Sequence, residues 1–364
     1  MIGQEHSDAD LHEQQEQTRL AIAALLVPIF FAIGFAACIL GAYHKPHPHG
    51  IKLAIVGPST QTADLRARLA KATGSAFDVR SVQTIGEATH GVKQRDLNAA
   101  FVPSSNPRQP ATVIVASANG RLVANAAESV VRPVAAALGA PLVVRDVRPL
   151  TSGDEIGLGV FLFIIVCTIC GYLAINLLYT AAPTLHPRRV YSLIVAVAVL
   201  VPTLTYVIAG LGYGAYSGSF ATITAFIVIS ALYLFVIGLV THWFQTLIGG
   251  PLALFLSLAI FVFLNIPSLG GTYTSPMLPS FWRFLNHFWI GASTVNAERS
   301  VLYFGSQGVA VDMLRVVAWT AVVGALLAYP MWEQARRRRR LSVAPQFTGQ
   351  LAPAVADTRS QRRA

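Results

Sequence analysis

Six stretches of this chain are each long and apolar enough to cross a bilayer, and none holds an Asp, Glu, Lys or Arg. A hydrocarbon core of about 30 Å needs roughly 20 apolar residues in a helix. The stretches lie at 20–43, 156–178, 190–213, 220–240, 244–266 and 316–331. The last extends to 311–332 if Arg315 snorkels to the interface. Their spacing is one, then a soluble segment (44–155), then five. The spacing implies a polytopic α-helical membrane protein with six transmembrane helices (1+5) and an extracytoplasmic α/β domain between the first and second.

Orientation follows from Lys and Arg in short loops. With both termini cytoplasmic, Arg19, Arg188, Arg189 and the run Arg336, Arg337, Arg338, Arg339, Arg340 lie inside, against Arg283 and Arg299 outside. The reverse topology would export the five-arginine run. The expected location is the plasma (inner) membrane. Segment 1–19 is then a cytoplasmic lead, 156–334 a five-helix domain with an outer loop at 267–310, and 335–364 a basic cytoplasmic tail. Much of the net charge of +10 sits in that tail, so it marks an anchor beside anionic lipid and not nucleic-acid binding. The lead is acidic, with Glu5, Asp8, Asp10, Glu13 and Glu16 before Arg19. A secretory signal needs the opposite charge, so the first stretch reads as a retained anchor.

The soluble segment alternates strand and helix patterns. Strands are expected at 51–56, 77–82, 99–102, 112–116 and 142–147, and helices at 63–72, 85–94 and 122–138, the last interrupted near Pro133. About a hundred residues suffice for a core of their own. His90, Ser59, Thr60, Ser104, Ser105, Asp64 and Asp96 do not form a nucleophile elbow, a zinc-helix motif or paired carboxylates. No enzyme activity or cofactor is expected. His44, His47 and His49 form the one metal-like cluster, but Pro46 and Pro48 stiffen the segment. It reads more simply as a polar hinge. Cys38, Cys167 and Cys170 all fall inside spans, where Cys167 and Cys170 suit helix packing better than redox chemistry.

Polar residues within spans are default functional suspects. Those present are Asn176, Asn265, Thr203, Thr205, Thr222, Thr224 and Gln245. None is acidic, so a proton or sodium relay has no obvious parts. Gly210, Gly212 and Gly214 loosely fit a dinucleotide fingerprint but close a span instead of following a strand. Gly249, Gly250 and Pro251 should kink or break the fifth stretch. The outer loop holds an aromatic run, 281–290, that suits a helix at the membrane interface. Trp282, Arg283, His287, Trp289 and Arg299 are its candidate gate residues for a lipid-like substrate.

The one-plus-five layout resembles that of type-2 ABC exporter permeases with a large outer domain, related to the phage-infection-protein family. Glu87-Ala88 followed by Arg95-Asp96-Leu97-Asn98-Ala99-Ala100-Phe101-Val102-Pro103 is similar to that family's acidic-Ala helix leading to a strand ending in Pro. Pro276-Met277-Leu278-Pro279-Ser280-Phe281-Trp282 and Ala297-Glu298-Arg299-Ser300-Val301-Leu302-Tyr303-Phe304 resemble its outer-loop pattern. The resemblance implies export of a lipid, drug or envelope component by a homo- or heterodimer, driven by a separate ATPase that engages the loop bearing His186, Arg188 and Arg189. This chain has no G-x-x-x-x-G-K-[ST] of its own. The competing expectation is a non-transporting envelope protein whose outer domain binds a partner as a receptor or scaffold.

Overall fold

The computed structural model describes residues 2–104, 106 and 108–342; Ser105, Pro107 and the tail from 343 lie outside the described residues. Two compact units are distinguished, Met1–Thr320 and Ala321–Ala364. The second holds the end of the last helix, which closes at Ser342. The side chains of the 336–340 arginine run are outside the described set.

Helix α1 (Ile2–Phe35) continues through a π-turn, Ala36–Leu40, to Tyr43. Its shorter apolar part is Pro28–Tyr43. The α/β domain follows, with strands β1 (Ile51–Val56), β2 (Phe77–Val82), β3 (Ala99–Val102), β4 (Ala111–Val115) and β5 (Leu142–Asp146). Helix α2 (Ser59–Thr73) joins β1 to β2, α3 (Ile85–Lys93) joins β2 to β3, and α4 (Arg121–Ala137) joins β4 to β5. The sheet order is β2-β1-β3-β4-β5, parallel except for the antiparallel β3–β4 pair. Helix α3 starts where its sequence says it should: Thr84 Oγ1 accepts from the Glu87 N–H at 3.1 Å, and the Glu87 carboxylate accepts from Gln83 N–H. Helix α4 runs unbroken through Pro133, against expectation. Its stripe of Val123, Ala127, Val131 and Ala135 stays buried on the sheet, and that packing holds the helix across the proline.

Strand alternation gives the sheet two apolar faces. Ile51, Leu53, Phe101, Val113 and Val115 face α4. Ala54, Val56, Ala100 and Ile114 face Ala88 and Val92 of α3. Each face is completed by a residue from far along the chain, Met277 on the first and Phe304 on the second.

Five helices among the described residues are long and apolar enough to cross a membrane, so the chain is a multi-pass helical membrane protein. They are α5 (Gly159–Ala181), α6 (Pro187–Tyr206, extended by a π-turn to Gly212), α7 (Phe220–Leu247), the broken helix beginning with α8 (Gly250–Ser257) and reaching Ser268, and the last helix from Val309. One boundary moves from its sequence-based place. The turn expected between 240 and 244 is helical, and α7 continues to Leu247. Thr241, His242 and Trp243 carry no breaker, whereas Gly249 and Gly250 adopt φ of +71° and +56° with Pro251 following. The glycines therefore separate two helices instead of kinking one.

Between that broken helix and the last one lie two shorter helices, α9 (Ser280–Asn286) and α10 (Ile290–Tyr303). We label the last helix α11 (Val309–Ser342). Helix α10 is buried along nearly its whole length and packs chiefly on α7. The outer loop is thus largely a core element.

Candidate functional site

Ser230 lies about 15 Å along α7 from Phe220, at ~1.5 Å per residue, well inside the length of a span. Its hydroxyl donates to Glu298 Oε1 of α10 at 2.6 Å. Glu298 is fully buried, and its Oε2 has no partner. Burial holds this carboxyl well above the usual carboxylate range, opposed by the Ser230 hydrogen bond and by Arg299. Near Ser230 on α7, Tyr233 shares a hydrogen bond with Thr168 of α5 at 2.6 Å and accepts from Asn265 Nδ2 at 2.7 Å. The bundle core thus contains a buried carboxyl beside a polar cluster. Counting charges within apolar stretches missed it, because Glu298 belongs to a connecting segment that only folding carries onto α7. A detectable signal was the small-residue character of α10, with Gly291, Ala292, Ser293, Ala297 and Ser300, which permits close helix approach.

The next residue, Arg299, turns to the α/β domain. It is 5% exposed and donates to the Gly271 carbonyl. Burial pulls its pKa down to about 10, the nearby Arg95 acting in the same direction, so it remains charged at neutral pH. Arg299 lines a polar cavity of about 280 Å³ whose walls include Arg95, Asn98 and Asn119 from the α/β domain and Asn286, Asn296 and Asp312 from the bundle segment. Arg95, just past the end of α3, takes φ +67°. Its Nη1 donates to the Asn296 carbonyl at 3.5 Å, and its guanidinium lies 5.4 Å from the Phe304 ring centroid. A second, very small cavity shares Arg299 with Asp154. Asp154 starts α5 by accepting from the Leu158 and Gly159 N–H groups, both at 2.8 Å. Burial raises its pKa despite those bonds.

The five expected gate residues do not form one group. Trp282 is buried with Ala42, Leu278 and Leu285, with Trp289 packed against that cluster, so the aromatic run clamps the end of the first helix. Arg283 is half-buried and His287 exposed, with Nδ1 2.5 Å from the Arg283 carbonyl. Phe281, Phe284 and Phe288 present an exposed aromatic face. Arg299 stands apart from all of these, in the polar cavity.

The three hinge histidines do not face a common point. The His44 ring bonds to the Leu40 carbonyl at 2.9 Å and the His49 ring to the His47 carbonyl at 2.6 Å. Among the described residues no group of three metal-ligating side chains converges. The intervening prolines keep the imidazoles strung along the segment, and the His49 N–H docks it on the Pro276 carbonyl at 2.8 Å.

At the other end of the bundle, His186 accepts from the Arg188 N–H at 3.3 Å and caps α6, while Arg188 and Arg189 are exposed. Gln245 Nε2 donates to Asn176 Oδ1 at 2.6 Å nearby in the bundle, and Tyr179 pairs with His242 at 2.7 Å. Thr203, Thr205 and Thr224 bond back to their own helices.

No family model matches the chain, and no curated protein or solved structure matches it either. Fold and composition define a multi-pass helical membrane protein carrying an α/β domain, with polar machinery where the two meet.

Proposed function

We propose that this chain is the membrane subunit of an export system for a lipid, drug or cell-envelope component, acting as a homo- or heterodimer in the plasma membrane. A separate ATPase engages its cytoplasmic loop at His186, Arg188 and Arg189, and the α/β domain faces outward. The positive-inside count supports this orientation. The observation that carries the reading is the pair Glu298–Arg299. Successive residues of one buried helix place a carboxyl in the bundle core and a guanidinium in a cavity shared with the α/β domain. A passive anchor has no use for either group, and burying each of them is costly.

A second reading, a receptor or scaffold, is favoured by β5. It is an edge strand of the sheet, and its Val143 and Val144 are 47% and 43% exposed, a surface suited to strand addition by a partner.

Purification of the full chain from native membranes in mild detergent separates the two. The export reading expects an ATPase to co-elute, and Arg188→Ala/Arg189→Ala to abolish its co-elution while leaving the His186 cap intact. Normal efflux in a deletion strain, with no ATPase recovered, would overturn export and leave the receptor reading.

A further inference from the structure

We propose that the polar cavity between the α/β domain and the bundle is a binding site for a phosphate group, free or carried as a lipid headgroup. This claim goes beyond the transport reading and does not depend on it.

The charge in the cavity is unbalanced. Arg95 and Arg299 both line it, and among the described residues neither has a carboxylate within ion-pair distance. The carboxylate in its wall, Asp312, pairs with Arg315 at 3.1 Å and also attracts Arg95, so one carboxylate is shared among three guanidiniums. Asp154, the other acid near Arg299, spends its oxygens on the start of α5, and Glu298 faces Ser230 on α7. Two guanidiniums held together in a recess repel each other unless an anion lies between them.

The donors are also unspent. Arg299, almost wholly buried, donates to one carbonyl, that of Gly271, although a guanidinium has five N–H groups. The side-chain amides of Asn119 and Asn296 have no hydrogen-bond partner among the described residues and line the cavity. Thr274 Oγ1, in the same wall, is buried without a partner. These groups approach from the α/β domain on one side and the bundle on the other. A carboxylate offers two oxygens in one plane, which such a set oversupplies. A phosphate group offers three or more oxygens in a tetrahedral arrangement, and arginine is well matched to it. The volume of about 280 Å³ is near the lower end for ligand pockets, so it suits a small anion or the polar end of a larger molecule.

The test uses the full chain in phosphatidylcholine nanodiscs. Inorganic phosphate is titrated by calorimetry, with acetate as the planar control. In parallel, the thermal midpoint is read in nanodiscs containing phosphatidic acid. Phosphate binding identifies a free-anion site, and stabilisation by phosphatidic acid alone identifies a headgroup site; either supports the proposal. Arg95→Gln is expected to weaken the response by about tenfold or more, as for loss of one charge-assisted contact. Asn119→Ala/Asn296→Ala should weaken it in the same direction, and decides the matter if Arg95→Gln fails to fold. Arg188→Ala/Arg189→Ala, remote from the cavity, should leave it unchanged and so controls for general attraction to anionic lipid. The proposal is overturned if neither probe acts on the wild-type chain, if acetate matches phosphate, or if folded cavity variants respond as the wild type does.

Discussion

Glu298 shows how one residue sets a pH dependence. Its pKa is raised by burial, so below the ordinary carboxylate range it is neutral in the folded and the unfolded chain, and its contribution is fully present. As pH rises past that range the unfolded chain gives up its proton while the buried group keeps it, and stability falls until pH passes the folded value. The thermal midpoint in detergent is therefore expected to drop as pH rises above the ordinary carboxylate range, and Glu298→Gln should flatten that slope. Asp154 shifts in the same direction, so the difference between variant and wild type isolates the Glu298 share. Ser230→Ala would leave Glu298 Oε1 without its donor beside an already unpartnered Oε2. It should cost about 1–3 kcal/mol in a denaturation series, as for a buried polar group left unsatisfied. An unchanged midpoint would mean that water reaches the carboxyl.

Among the elements, α10 departs furthest from its sequence-based reading. A short, small-residue helix in a connecting loop becomes the piece most enclosed by its neighbours. Gly291 makes this possible, because a Cβ there would overlap Asn265 Oδ1 and Leu269 Cδ2. Gly291→Val should therefore push α10 off the broken helix and destabilise the protein by about 1–3 kcal/mol, the usual cost of overpacking. Faster hydrogen exchange confined to α10 and residues 258–268 would show it. If exchange rises equally everywhere, the effect is not local. The strands, α3 and most of α4 were legible in the sequence, since short apolar runs closed by turn residues and helical spacing of apolar residues are local signals. The continuation of α7 past His242 was not. A polar His-Trp segment looks like a loop until Tyr179 is brought within 2.7 Å of His242.

For the molecule as a whole, the α/β domain does not complete its own core. Phe304 is fully buried in one face of the sheet and Met277 in the other, both from the segment before α11. Domain and bundle are therefore packed as one body at this junction, with the Arg95–Arg299 cavity lying between them. Phe304→Ala should cost about 3–5 kcal/mol, as large aromatic truncations in cores do. Hydrogen exchange should quicken in β1, β3 and β4 while α5 and α7 stay protected. Equal protection in wild type and variant would show that the domain is stable without this plug.

The sequence alone determined the membrane class, the position of the α/β domain and most of its elements. Each of these rests on hydropathy or periodicity within a short stretch of chain. Only the tertiary structure decided where the charges end up. In the sequence Arg299 is one gate candidate of an outer loop and Glu298 its neighbour in a loop motif, with no partner visible for either. Glu298 meets α7 across 68 positions of chain, and Arg299 shares a cavity with Arg95 from about two hundred positions away. A cavity with excess positive charge arises from the meeting of two distant segments, and no local pattern encodes that meeting.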